Sequence, residues 1–103
     1  MKLRTLIRAA CLASLLASAA QAQISDGVVR VGVLTDMSGT YSDLSGEGAV
    51  VATQMAIDDF VAQEKPAFKV EMVYADHQNK GDIAANKARE WFEQGNVDVV
   101  TDL

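Results

Sequence analysis

Basic residues are scarce in this sequence: nine Lys and Arg stand against 14 Asp and Glu, for a formal net charge of −5. A nucleic-acid binder would show clustered Lys and Arg, so that balance argues against one. A single cysteine, Cys11, excludes a disulfide framework and any Cys-rich zinc module. With one histidine, His77, there is no second imidazole from which to build a metal cluster. Aromatic residues make up only 6% of the chain, and the one tryptophan is Trp91. No apolar run reaches the roughly 20 residues of a membrane-spanning helix. At 103 residues the chain holds one small domain at most.

What is present divides into two segments of opposite character. The first 22 residues carry Lys2, Arg4 and Arg8 and no acid. An uncharged stretch rich in Ala and Leu follows over residues 9–20 and ends in Ala20-Gln21-Ala22. A basic start, an apolar middle and small residues flanking a cut between Ala22 and Gln23 make a secretory signal peptide. Cys11 lies too early for a lipoprotein signal and is expected to leave with that segment. Residues 23–103 then retain six basic and 14 acidic residues, a net charge of −8, and no cysteine. Lack of a free thiol suits an oxidising compartment. The mature protein is expected to be exported to the periplasm and acidic.

Residues 23–103 alternate strand and helix patterns. Residues 28–35 (VVRVGVLT) form a β-branched run suited to a strand covered on both faces. A turn-rich stretch follows, with Asp36, Ser38, Gly39, Thr40, Ser42, Asp43, Ser45, Gly46 and Gly48. From Glu47 the spacing predicts a helix with Ala49, Ala52, Ala56 and Phe60 on its inner stripe and Met55 beside it. It should end near Gln63, because Pro66 disfavours helical geometry in the residue before it. Residues 68–75 (FKVEMVYA) alternate as a strand nearer a sheet edge, with Phe68, Val70, Met72 and Tyr74 on one face. Asn79 with Asp82 resembles a capping pair opening a second helix, which places Ala84, Ala88, Trp91 and Phe92 on one side and stops at Gly95. Residues 97–101 (VDVVT) make a third strand, after which Asp102 and Leu103 end the chain. The fold class is therefore α/β: a βαβαβ parallel, three-layer, Rossmann-like unit with strand order 2-1-3. The third strand has nothing after it, so the chain reads as the opening portion of a larger protein.

In open α/β sheets ligands bind beyond the carboxyl ends of the strands. Those ends are residues 35–45, residues 76–80 and Asp102 onward. The first loop combines hydroxyls, Tyr41 and a helix start, a composition suited to a carboxylate or other anion as well as to plain turns. Gly46-Glu47-Gly48 lacks the third glycine of a dinucleotide motif and lies too far beyond the strand. Asp76-His77 has no further ligand cluster to form a metal centre. Asp36 with Asp102 is like the acidic pocket of phosphoacceptor receiver domains, but those are cytoplasmic. No nucleophile–base pair stands out and no cofactor is implied.

The run VGVLTDMSG (residues 31–39), Gly46, Gly48, the Met55-Ala56-Ile57-Asp58-Asp59-Phe60 segment, VEMVYADHQNKGD (residues 70–82) and VDVVTD (residues 97–102) together resemble a known family. It is the branched-chain amino-acid family of periplasmic solute-binding proteins of ABC transporters, with the type I periplasmic-binding fold. The resemblance implies two α/β lobes that close by a hinge around a small solute and present it to a membrane permease. Residues 23–103 would supply the first part of the amino-terminal lobe. It further implies a non-enzymatic, monomeric protein that holds a branched-chain amino acid, an amide or an aromatic or organic acid. Ser38 and Gly39 match the turn facing the cleft. Leu44 stands at the place of the family's ligand-packing tyrosine by gapless counting, with Tyr41 close by. Asp43, His77 and Asp102 complete the candidate binding residues. The family's carboxylate-gripping Ser and Thr residues come mostly beyond Asp102. Two other readings are a ligand-sensing ectodomain of a membrane receptor, and an exported α/β enzyme using Asp76, His77 and Asp102.

Overall fold

The computed structural model describes Ile24 and residues 26–103. The signal peptide and its cleavage point at Ala22 and Gln23 lie outside the described residues. The elements are β1 (Val28–Thr35), α1 (Gly46–Glu64), β2 (Lys69–Asp76), α2 (Gly81–Glu93) and β3 (Val99–Thr101). The three strands form one parallel sheet in the order β2-β1-β3, which is the order expected from the alternation. Val28 pairs with Lys69 and the register runs unbroken to Thr35 opposite Asp76. Val31, Gly32 and Val33 pair with Val99, Val100 and Thr101. None of the helices among the described residues is long and apolar enough to cross a membrane.

Because side chains alternate across a strand, β1 serves two layers at once. Val29 and Val31 face α1, where they line an apolar hollow with Ile57, Phe60, Phe68 and Val70. On the other face Leu34, fully buried, packs with Trp91 and Val97. Ala84 and Ala88 of α2 and Val73, Ala75 and Val100 of the flanking strands close around that cluster. Burying a Val, Leu or Ile side chain contributes about 1.5–3 kcal/mol, so the centre of the sheet is also its main source of stability. Trp91 is core, as its place on the helix stripe predicts.

Four expectations need correction or refinement. The inner stripe of α1 is Gly46, Val50 and Ile57, which are buried, with Thr53 half-buried between them. Ala52 and Met55 face outward, whereas Ala56 and Phe60 border the hollow over the sheet without being buried, Phe60 stacking on Phe68 with ring centroids 6.4 Å apart. Two forces set that rotation. The Gly46 amide donates to Thr35 Oγ1 at 3.1 Å, fixing the first turn against β1. Val50 and Ile57 also remove more apolar area from water than alanines at the predicted positions would. Secondly, α2 has no Asn79 cap: Lys80 is the N-cap and makes no side-chain cap bond, while Asn79 stands at φ +55° and donates its amide to His77 Nδ1. Thirdly, α2 ends at Glu93 with Gln94 as its cap, in keeping with a stop at Gly95, but the left-handed residue that turns the chain is Asn96 (φ +50°). Lastly, β3 is shorter than expected. Val97 is buried in the core cluster instead of extended in the strand, leaving Val99–Thr101 to pair.

Arg30 secures the amino end of this arrangement. Its amide donates to Asp98 Oδ2 at 2.8 Å, and the Asp98 amide returns a bond to the Arg30 carbonyl at 3.0 Å. Its guanidinium reaches Asp26 at 2.7 Å and Glu71 at 3.2 Å, joining the lead-in to β1, β2 and the approach to β3. The hydrogen bond from Arg30, with a second from the Val28 amide, holds the Asp26 carboxyl below its ordinary pKa.

Gly32 is the point where sheet and helix come closest. A Cβ there would lie 2.6 Å from Cζ3 and 2.7 Å from Cε3 of the Trp91 ring, and 3.2 Å from Val97. Gly32→Ala should therefore destabilise the protein by about 1–3 kcal/mol, the usual cost of overpacking a filled core. Urea unfolding of the full-length mature protein checks this; a midpoint unchanged from wild type would contradict the packing described.

Candidate functional site

The carboxyl ends of β1 and β2 meet at the pair Thr35 and Asp76, where the backbone ladder runs out. The His77 amide makes one more rung to the Thr35 carbonyl at 2.9 Å. Beyond it side chains take over. Asp76 Oδ1 accepts the Met37 amide at 2.9 Å and the Gln78 amide at 2.8 Å. Its Oδ2 accepts the Ser38 hydroxyl at 2.5 Å. The Ser38 hydroxyl is the largest influence holding the Asp76 carboxyl below its ordinary pKa, followed by the Met37 amide, against the opposing effect of burial.

Asp36 organises the same loop from within. Its residue is only 2% exposed. Oδ1 accepts the Gly39 amide at 2.6 Å and Oδ2 the Tyr41 amide at 2.9 Å, so both oxygens are engaged by amides. The turn is tight enough that a Cβ at position 39 would sit 2.6 Å from an Asp36 carboxylate oxygen, which is why glycine stands there. Further along, the Ser42 amide donates to the Gly39 carbonyl, and the amides of Leu44 and Ser45 to the Tyr41 carbonyl. The hydroxyls of Ser42 and Ser45 also donate to backbone carbonyls within the loop.

This narrows the expectation that the loop offers an anion cradle. The amides of Met37, Gly39 and Tyr41 and the hydroxyl of Ser38 are already committed, and what they hold are the chain's own carboxylates. Outward the loop presents two large apolar side chains, Tyr41 at 52% and Leu44 at 83% exposure, beside the exposed Ser38 and Thr40. Asp43 is exposed between Tyr41 and Leu44.

His77 is placed differently. It is half-buried and lines a small hollow of about 190 Å³ with Asn79, Lys80, Gly81, Ala84 and Leu103. Asp102, exposed and at φ +66°, precedes Leu103 at that rim. Asp76 binds the other loop, and His77 Nδ1 accepts the Asn79 amide at 2.9 Å, so neither side chain is committed to the other. Among the described residues no three His, Cys, Asp or Glu side chains gather to hold a metal ion. The structure thus brings Ser38, Gly39, Tyr41, Asp43 and Leu44 onto one braced loop and places His77 and Asp102 by the neighbouring hollow.

Asp36 and Asp76 as loop organisers were not recognised from the sequence. A signal existed for the first: Asp36 three residues before Gly39 fits the habit of Asp side chains of bonding amides a few residues on. For Asp76 a local signal covers only the Gln78 amide two residues on; its loop-joining partners Ser38 and Met37 lie 38 and 39 residues away, beyond any local pattern.

Two outcomes test this geometry. Asp36→Ala leaves the Gly39 and Tyr41 amides without their acceptor and should cost about 1–3 kcal/mol in urea unfolding; a smaller loss than that range would mean the loop satisfies them elsewhere. The Asp76 contribution depends on pH with a definite sign. Its folded pKa is depressed, so the stabilisation is present above the unfolded carboxyl pKa and is lost as pH falls through the folded one. The stability gap between wild type and Asp76→Asn should stay level above about pH 5 and narrow towards pH 3. A gap that does not change over that interval would rule out the assignment.

Comparison with known proteins places this geometry in context. A family model described as "Periplasmic binding protein" matches residues 28–103. The chain is similar to a crystal structure of a periplasmic binding protein from Burkholderia mallei, at 49% identity and TM-score 0.66. That similarity covers 72% of this chain and 20% of the other. It is also similar to a branched chain amino acid ABC transporter periplasmic ligand-binding protein from Burkholderia xenovorans, at 44% identity and TM-score 0.63, covering 73% of this chain and 20% of the other. The match to each structure spans only one fifth of that protein's length. No curated protein matches the chain.

Proposed function

The chain belongs to the periplasmic binding protein family, and from that premise we propose that it is part of the substrate-binding component of an ABC importer, working in the periplasm after export. In this reading residues 23–103 form the first part of the amino-terminal lobe of a hinged, two-lobed receptor. A small solute binds between the lobes, its contacts favour the closed form, and the closed form is delivered to a membrane permease. The protein performs no catalysis, takes no cofactor and acts as a monomer. The observation that carries the reading is the braced loop at the carboxyl end of β1, which projects Tyr41 and Leu44 from the place where α/β sheets bind ligands.

The solute class follows from the family and from that surface. A branched-chain amino acid, an amide or an aromatic or organic acid each has a compact apolar part that suits Tyr41 and Leu44. Ser38 and Gly39 shape the wall beneath them, and Asp43, His77 and Asp102 border the cleft. Since the Ser38 hydroxyl and the Met37, Gly39 and Tyr41 amides are spent on Asp36 and Asp76, a solute carboxylate is held by other donors. The relative from Burkholderia xenovorans, named for branched-chain amino acids, favours that class first.

A thermal-shift screen of the full-length mature protein against amino acids, amides and aromatic acids tests the proposal. A true solute at 100 times its dissociation constant should stabilise the protein by about 2.7 kcal/mol, a shift of several degrees. Melting that ignores every compound, together with turnover of any of them, would replace the receptor with an enzyme.

A further inference from the structure

We propose that Asp76 is a positioning residue: from the end of β2 it fixes the β1 loop that carries Tyr41 and Leu44, so that the binding surface is set before any solute arrives. The purpose assigned to Asp76 rests on the solute-binding reading above, but the coupling itself does not.

The argument begins with register. Thr35 and Asp76 are the last partners of the β1–β2 ladder. Two residues further, the Met37 amide points back towards β2, where a continuing parallel strand would offer a carbonyl. The chain turns away at His77, and the Asp76 carboxylate substitutes, accepting Met37 at 2.9 Å and the Ser38 hydroxyl at 2.5 Å. The same oxygen that takes Met37 also takes the Gln78 amide at 2.8 Å, so one side chain ties both loops together.

Asp76 has no basic partner in these bonds. Its lowered pKa comes first from the Ser38 hydroxyl and the Met37 amide, so the carboxylate is specialised for backbone and hydroxyl donors. Asp36 then orders Gly39 and Tyr41 locally, but only from a backbone whose start Asp76 has already anchored. The long-range anchor is therefore Asp76, and Ser38 serves as its contact rather than as a free donor.

Hydrogen exchange on the solute-free, full-length mature protein tests this without knowledge of the solute. In Asp76→Ala the Met37 and Gln78 amides should exchange roughly tenfold faster or more, as expected on losing a charge-assisted bond, while amides in the core strands are unchanged. Asp76→Asn keeps a neutral acceptor oxygen for both amides and should restore part of their protection. Ser38→Ala should leave Met37 protected, because its acceptor remains. Unchanged exchange at Met37 in Asp76→Ala overturns the proposal. So does acceleration spread evenly over the chain, failure of that variant to fold, or an Asp76→Asn protein as fast as Asp76→Ala, each of which marks a general structural role. Because no solute enters the experiment, its failure is distinct from a failure of the thermal-shift screen.

Discussion

The end of β1 imposes the constraint on which the candidate site depends. A central strand in a parallel sheet leaves its last amides pointing at neighbours that are turning away, and buried or half-buried amides need acceptors. Here two aspartates meet that need, one from the loop itself and one from the adjacent strand. Asp36 takes Gly39 and Tyr41, and Asp76 takes Met37 and the Ser38 hydroxyl. The loop that follows is long and rich in glycine and serine, a composition that by itself would suggest mobility. Its internal bonds give it a defined path into α1, whose first amide is in turn held by Thr35. Strand, loop and helix start are thus one hydrogen-bonded unit.

The same strand determines the layering. Gly32 admits the Trp91 ring against the sheet, and Leu34 beside it fills the space between sheet and α2. On the opposite face the valines of β1 meet α1 less completely, and an apolar hollow remains between Val29, Ile57, Phe60 and Phe68. The two faces therefore differ in quality of packing, and the better packed one lies under α2. Arg30 at the amino end and Asp76 at the carboxyl end hold the strands in register along the length that these contacts need.

Much of this was legible in the sequence. The β-branched run over residues 28–35 and the alternation over residues 68–75 located both long strands, and their spacing gave the order with β1 in the middle. Trp91 as core followed from its helical stripe. The less legible features are those decided by tertiary contacts. The rotation of α1 depends on a bond between Gly46 and Thr35, which no periodicity of alanines reveals. The cap of α2 was misread because Asn79 is drawn into a turn with His77 before it can cap anything. At the site, Tyr41 and Leu44 stand out in the sequence as candidates on the ligand-facing loop, whereas the commitment of Ser38 is visible only in the fold. Composition shows that a loop has hydroxyls and amides; only the fold shows which of them, such as the Ser38 hydroxyl and the Met37, Gly39 and Tyr41 amides, are already occupied.

The acidity of the chain also takes on a different meaning. Asp26, Glu71 and Asp98 are engaged around Arg30, and Asp36 and Asp76 are engaged by the loop backbone. These carboxylates are fastenings distributed along both ends of one strand, and they should not be regarded as interchangeable surface charge. A redesign that raised the isoelectric point by neutralising acids indiscriminately would loosen the architecture where it is joined. One confined to the outward faces of the helices would change the electrostatic field and leave the joints intact.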